Sequence, residues 1–185
     1  MPDLALGLAS LQRELAAGRK LPPVERWSPA HCGEIDIRIA RDGTWFHQGT
    51  PVGRRELVRL FSTILRREGD DYYLVTPAEK MRIQVEDAPF LAVLLEVRGA
   101  GREQQLAFTT NVGDEVIADA EHRIRVESAP ESGEPAPYVH VRGGLEARIS
   151  RSVFYQLADI AVPGERAGEL GVWSAGVFFP IGTVP

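Results

Sequence analysis

The chain has 185 residues, 44% of them hydrophobic and 25% charged, with a formal net charge of −5. That balance fits a globular chain long enough for a sizeable core and excludes extended disorder away from the ends; the acidic excess opposes broad binding to nucleic acid or anionic membrane, which requires a basic face. Cys32 is the sole cysteine, which rules out an intrachain disulfide framework and any CxxC metal or redox pair.

The opening Met1-Pro2-Asp3-Leu4 lacks a basic start and a long apolar run, and no stretch of about 18 apolar residues follows, so neither secretion nor a membrane span is expected and the cytoplasm is the expected compartment. Leu4, Leu8, Leu11 and Leu15 recur at helical spacing until Gly18, which predicts a helical arm over residues 1–20. Pro22, Pro23 and Pro29 make the next segment an extended strap. Strict alternation of Ile35, Ile37 and Ile39 with polar residues predicts a half-buried strand, and Asp42-Gly43 supplies the turn to a returning strand at Trp45–Gln48. Gly53–Arg67 is the strongest helical pattern, with Leu57, Leu60, Phe61, Ile64 and Leu65 on one stripe. Strands are expected at Tyr72–Val75, Met81–Val85 and Leu91–Val97, and then, after a seam at Gly99-Ala100-Gly101, at Leu106–Thr110, Glu115–Ala118 and Arg123–Val126. Ser128–Pro137 reads as a polar loop, Tyr138–Arg142 as a strand, Arg151–Ala161 as a helix and Val172–Pro180 as the strand closing the sheet. Antiparallel strands with few helices predict an α+β fold of two related halves, 21–98 and 99–185, each a small sheet packed with one helix.

Two internal echoes suggest the duplication. Arg82-Ile83-Gln84-Val85-Glu86-Asp87-Ala88-Pro89 recurs as Arg123-Ile124-Arg125-Val126-Glu127-Ser128-Ala129-Pro130, and Val52–Leu60 resembles Ile149–Leu157, each opening a helix after a strand that carries a histidine, His47 or His140. An interface between two such halves is a common place for a ligand.

The candidate site follows from charge in unusual places. Arg54 and Arg151 fall in the first turns of the two helices, where unpaired N–H groups already disfavour a cation by about 0.3–1 kcal/mol. Each therefore calls for a compensating anion: an internal carboxylate, or a phosphate or carboxylate of a ligand. Arg55 strengthens the first position. Tyr138, His140 and Arg142 share a strand face suited to a nucleotide-like ligand, with Arg148 nearby and Trp173 as a stacking platform. The plainer alternatives are paired or solvated arginines, structural histidines and core aromatics. His31, His47, His122 and His140 are too scattered for a metal, and neither a dinucleotide fingerprint nor a phosphate loop is present, so no cofactor is expected. Ser152, Ser174 and Cys32 lie in no nucleophile elbow, and the carboxylates, among them Glu34, Asp36, Asp70 and Asp71, are dispersed.

Cys32–Ile39, the phrase from Asp42 to Phe61, Arg142–Arg148 and the ending from Gly171 to Gly182 resemble the proteobacterial family known as domain of unknown function 1285, over nearly all of Leu21–Gly182. The resemblance implies a duplicated core whose second half superficially resembles a pleckstrin-homology fold, a pocket at the domain interface, a nucleotide-based ligand and a role in signal transduction. It carries over no catalytic residue. The expectation is thus a cytoplasmic ligand-binding or sensor protein, holding a small anionic ligand through His47, Arg54, Arg55, His140, Arg142, Arg148, Arg151 and Trp173, with a signalling protein as partner. A hydrolase of phosphorylated or nucleotide substrates and a protein-interaction module are the alternatives.

Overall fold

The computed structural model describes residues 21–129 and 133–184; the expected helical arm lies outside them. The chain divides into two compact units at Asp87/Ala88, eleven residues before the expected seam. The reason is pairing: Phe90–Arg98 hydrogen-bonds only with strands that follow it in the chain, so Gly99–Gly101 is a connection inside the second unit.

The first unit is one six-stranded sheet with a helix. Strand β1 (His31–Ile39) buries Ile37 and Ile39 and exposes Glu34 and Asp36, as the alternation predicts. It turns through Asp42, whose Oδ1 accepts the Thr44 N–H at 2.9 Å, into antiparallel β2 (Trp45–His47). Gln48 and Gly49 both have positive φ and make the two-residue turn to β3 (Thr50–Pro51), where a left-handed pair matches the twist of the flanking strands. Helix α1 spans Arg55–Thr63, shorter than the apolar stripe predicts. Ser62 and Thr63 hydroxyls donate back to the Arg59 and Leu60 carbonyls, both at 2.7 Å, and compete with the helix at its last turn. Ile64 and Leu65 stay buried, but Leu65 does so from a strand: β4 (Leu65–Glu68) pairs with β5 (Asp71–Val75), which pairs with β6 (Glu79–Val85). The order is β3-β2-β1-β6-β5-β4, with β1 and β6 parallel at the centre. Trp45 stacks on Phe61 of α1, centroids 6.0 Å apart, which seats the helix on the sheet. The proline strap contains one 3-10 turn, Val24–Arg26, and buried Arg66 donates to the Val24 and Trp27 carbonyls at 3.0 and 2.8 Å.

Beside the β1–β2 turn, Glu86 accepts the Arg41 backbone N–H at 3.0 Å and pairs with Arg38. These partners hold its carboxyl below the ordinary value of 4.5. A lowered folded-state pKa gives stabilisation that is complete above that value and lost as pH falls through the folded one. Stability is expected to decline between about pH 5 and pH 3, and Glu86→Gln to flatten the decline. Urea titrations across that range test this; identical pH slopes in both proteins would remove Glu86 from the account.

The second unit repeats the sheet plan. Strands β7 (Phe90–Arg98), β8 (Gln105–Thr110) and β9 (Glu115–Ile117) form one meander, and β10 (Ile124–Ser128), β11 (Pro135–Arg142) and β12 (Leu145–Ile149) another. They are ordered β10-β11-β12-β7-β8-β9, with β12 parallel to β7. Helix α2 (Arg151–Asp159) starts at Ser150, whose hydroxyl accepts the Val153 N–H at 3.4 Å, and buries Val153 and Leu157.

In both units, therefore, two meanders meet through a parallel pairing of first and last strands. The helix follows the third strand in one unit and the sixth in the other. The two repeated phrases do not mark this correspondence: Arg82–Val85 lies on β6, last and central, whereas Ile124–Ser128 is β10, fourth and at an edge. The halves are related by topology, and the phrases fall at non-equivalent places.

The closing segment is a further departure. It does not complete the six-stranded sheet but forms its own, from β13 (Val162–Pro163), β14 (Glu169–Ser174) and β15 (Val177–Thr183). Ala175 and Gly176, both with positive φ, make the β14–β15 turn, and their N–H groups donate to the Gln104 and Arg102 carbonyls at 2.7 and 3.0 Å. The turn's outward donors are thus used to dock the hairpin on the connection before β8.

Candidate functional site

Of the eight residues expected at the site, three lie in the first unit and five in the second. His47 is exposed on β2. Arg54 occupies the N-cap of α1 and Arg55 its first position, both exposed. Arg151 is the first residue of α2, so its counterpart is Arg55, not Arg54. Arg151 Nε donates to the Tyr155 hydroxyl one turn on, at 2.9 Å, and Glu134 adds negative potential there.

The β11 face is occupied by its own contacts. Tyr138 is buried in a cluster with Ala88 and Ala136. Its ring lies beside two guanidinium groups from the adjacent strands, Arg125 at 4.2 Å and Arg148 at 5.1 Å, and Arg148 also donates to its hydroxyl at 3.0 Å. Arg125 is held in turn by Glu146 through two bonds of 2.7 Å. Arg142 pairs with Asp114 at 2.5 Å and covers the Phe90 ring. His140 Nε2 accepts the Gly144 N–H at 3.2 Å, and its ring lies 5.7 Å from that of His122, itself bonded to Asp119. The β11 face carries partly exposed arginines laid over aromatic rings, formed because neighbouring strands of the sheet supply both cation and ring.

Ser174, a hydroxyl with nucleophilic potential in the sequence, is fully buried: Oγ donates to the Ala118 carbonyl at 2.6 Å and accepts the Leu106 N–H at 2.9 Å. It is a structural clamp. In the first unit, Glu34, Asp70 and Asp71 line a cavity of about 380 Å³ together with Arg82, which bridges Asp71 at 2.5 Å and Glu34 at 3.7 Å. Glu34 and Asp71 there already have their cation in Arg82, and Asp70 lies 3.8 Å from Arg67.

Trp173 behaves differently. It lines a cavity of about 540 Å³ within the second unit, with Phe178, Pro163, Gly164 and Pro180 as further walls and Arg102, Glu165, Arg166 and Glu169 as charged groups. The volume falls in the range of small-molecule sites. The Trp173 and Phe178 rings meet at 60° with centroids 5.3 Å apart. Gly171 permits this, since a methyl there would overlap the Phe178 ring. The Arg102 guanidinium lies over the Trp173 ring, 4.7 Å from its centroid, so its π-face is used while its in-plane N–H donors are not. Among the described residues, none of the four charged side chains makes an ion pair or a side-chain hydrogen bond. Two guanidiniums and two carboxylates thus surround one aromatic cavity without satisfying one another. Trp173 and Phe178 stood out in the sequence as part of an aromatic ending; Arg102, Glu165, Arg166 and Glu169 carried no signal, because the turn at Gly101–Glu103 meets β14 only in the fold, where Gln104 Nε2 donates to the Trp173 carbonyl.

Two family profiles match the chain: the DUF1285 N-terminal domain over residues 22–88 and the DUF1285 C-terminal domain over 89–181, both described as of unknown function. The chain belongs to the DUF1285 family. Their junction agrees with the division of the DUF1285 chain at Asp87/Ala88. A DUF1285 family protein from Silicibacter pomeroyi DSS-3 is 57% identical, with a TM-score of 0.85 over 89% of this chain and 88% of that one. A DUF1285 family protein from Shewanella baltica OS155 is 28% identical, with a TM-score of 0.53 over 66% of this chain and 90% of that one. No curated protein matches. No helix among the described residues is long and apolar enough to cross a membrane.

Proposed function

We propose that this DUF1285 protein is a cytoplasmic ligand-binding sensor whose C-terminal unit holds a small anionic, nucleotide-like ligand in the Trp173 cavity and reports its occupancy to a signalling partner. The observation that carries the reading is Arg102, stacked on Trp173 with its donor edge unused, beside Arg166. A guanidinium so held is oriented for two-point contact with a phosphate or carboxylate, and the aromatic walls suit a planar ring. The hydrolase alternative gains nothing from Ser174, whose hydroxyl is committed to backbone groups. The interaction-module alternative rests on a specific feature, the exposed Val93, Leu94 and Val97 of β7, with Leu94 at 62% exposure.

A thermal-shift screen against nucleotides, dinucleotides and inorganic phosphate tests the proposal. A ligand present at 100 times its Kd stabilises the native state by about 2.7 kcal/mol. Arg102→Ala is expected to weaken binding by about tenfold or more, the loss of a charge-assisted contact. No shift across the panel would overturn the reading. Loss of affinity in Arg54→Ala or Arg151→Ala, with Arg102→Ala unchanged, would move the site to the helix starts.

A further inference from the structure

The cavity's carboxylates carry information that its arginines do not. A site for a plain anion has no use for Glu165 and Glu169, which repel it; Arg102, Glu165 and Arg166 are open to solvent, and a ligand that pairs with Glu169 as well as with an arginine must present hydrogen-bond donors as well as an anionic group. Glu169 is half-buried at the start of β14, and its side chain lies against Gly164 so closely that a methyl on Gly164 would overlap Oε2, Cδ and Cγ. The Gly164 N–H also donates to the Glu169 carbonyl at 2.8 Å, which ties the two backbones together. Glu169 is therefore positioned by its neighbour rather than free to follow solvent.

Resting on the nucleotide reading above, we infer that the ligand is a guanine nucleotide, with Glu169 selecting the base. Guanine presents N1–H and the 2-amino group side by side, two donors spaced for one carboxylate, whereas adenine presents an acceptor at N1 that a carboxylate repels. The base lies against Trp173 and Phe178, its donor edge meets Glu169, and the phosphate meets Arg102 and Arg166. A site that hydrogen-bonds a ligand group discriminates strongly against the analogue lacking it, because the site's own group is then left unpaired. Hypoxanthine, which keeps N1–H and lacks the 2-amino group, falls between the two bases.

Isothermal titration of the full chain with GMP, IMP and AMP tests the assignment. The expected order is GMP, then IMP, then AMP, with GMP about tenfold tighter than AMP or better. Glu169→Gln is expected to weaken GMP and, because the repulsion at adenine N1 is removed and the amide can donate to it, to strengthen AMP, so that the preference for GMP is lost. Gly164→Ala is expected to remove the same preference by displacing the carboxylate, since the atoms a methyl would meet belong to a flexible side chain, and its thermal midpoint shows that the fold is kept. Equal affinity for GMP and AMP, both weakened by Arg102→Ala, would overturn the guanine assignment and leave the nucleotide site standing. Absence of binding by all three would overturn both.

Discussion

Arg66→Ala is expected to lower the unfolding free energy by about 3 kcal/mol, the loss of several hydrogen bonds from a buried charged group. Arg66 is 9% exposed and ties the strap to β4, donating to the Val24 and Trp27 carbonyls while pairing with Glu68 on its own strand. The strap before β1 contains three prolines and only one turn of 3-10 helix, so it has few backbone bonds of its own and depends on this side chain for its seat. Removing the guanidinium leaves the Trp27 carbonyl without that donor and opens a void over β4. Arg66→Lys keeps the charge but not the fork that reaches two carbonyls and a carboxylate together, and should recover less than half of the loss. Urea denaturation at neutral pH measures both. A loss below about 1 kcal/mol for Arg66→Ala would mean that the strap is seated by its apolar contacts instead.

Ser174→Ala is expected to cost about 2 kcal/mol, because two buried backbone groups, the Leu106 N–H and the Ala118 carbonyl, lose their partner at once. Both residues are fully buried, Leu106 on β8 and Ala118 just past β9, so water cannot replace the hydroxyl without opening the packing. The same substitution loosens the β14–β15 hairpin that carries Trp173 and Phe178, and ligand affinity should fall with it. Faster amide exchange at Leu106, together with a lower denaturation midpoint, is the expected signature. An unchanged midpoint and unchanged exchange would show that the hairpin is held by its turn, through Gln104 and Arg102, and not by the serine.

Local pattern carried much of the architecture. The alternation of Ile35, Ile37 and Ile39 marks β1, the Asp42-Gly43 pair marks its turn, and the serine at 150 marks the start of α2, because each depends on residues adjacent in the chain. Element ends were less legible. The stripe through Leu60, Phe61, Ile64 and Leu65 satisfies helical spacing, yet Leu65 is buried from a strand; short apolar runs fit both periods, and the Ser62 and Thr63 back-bonds that end the helix become decisive only once β4 has a partner. The unit boundary was misplaced for a similar reason. A Gly-Ala-Gly connection looks like a seam, but it joins β7 to its antiparallel neighbour β8 through a single turn of 3-10 helix.

For the candidate site, residue type pointed to arginines and aromatics, and the structure shows which of those arginines already have partners. Arginines beside aromatics do form a recurring unit in this protein, at Tyr138, Phe90 and Tyr155 as well as Trp173. Whether such a unit is a binding group or a structural one depends on what else reaches the guanidinium. Arg142 meets Asp114 and Arg148 meets a hydroxyl, while among the described residues the Arg102 guanidinium is placed against the Trp173 ring without an ion pair. The sequence by itself determined the fold class, the two-part organisation, most strands and the aromatic ending, since these follow from hydrophobic period and turn chemistry within a few residues. Only the tertiary structure decided which charges are already paired and that Arg102 stands over Trp173, because those contacts join positions well separated in the chain, 28 residues for Arg142 and Asp114 and about 70 for Arg102 and Trp173, and strand pairing rather than local preference brings them together.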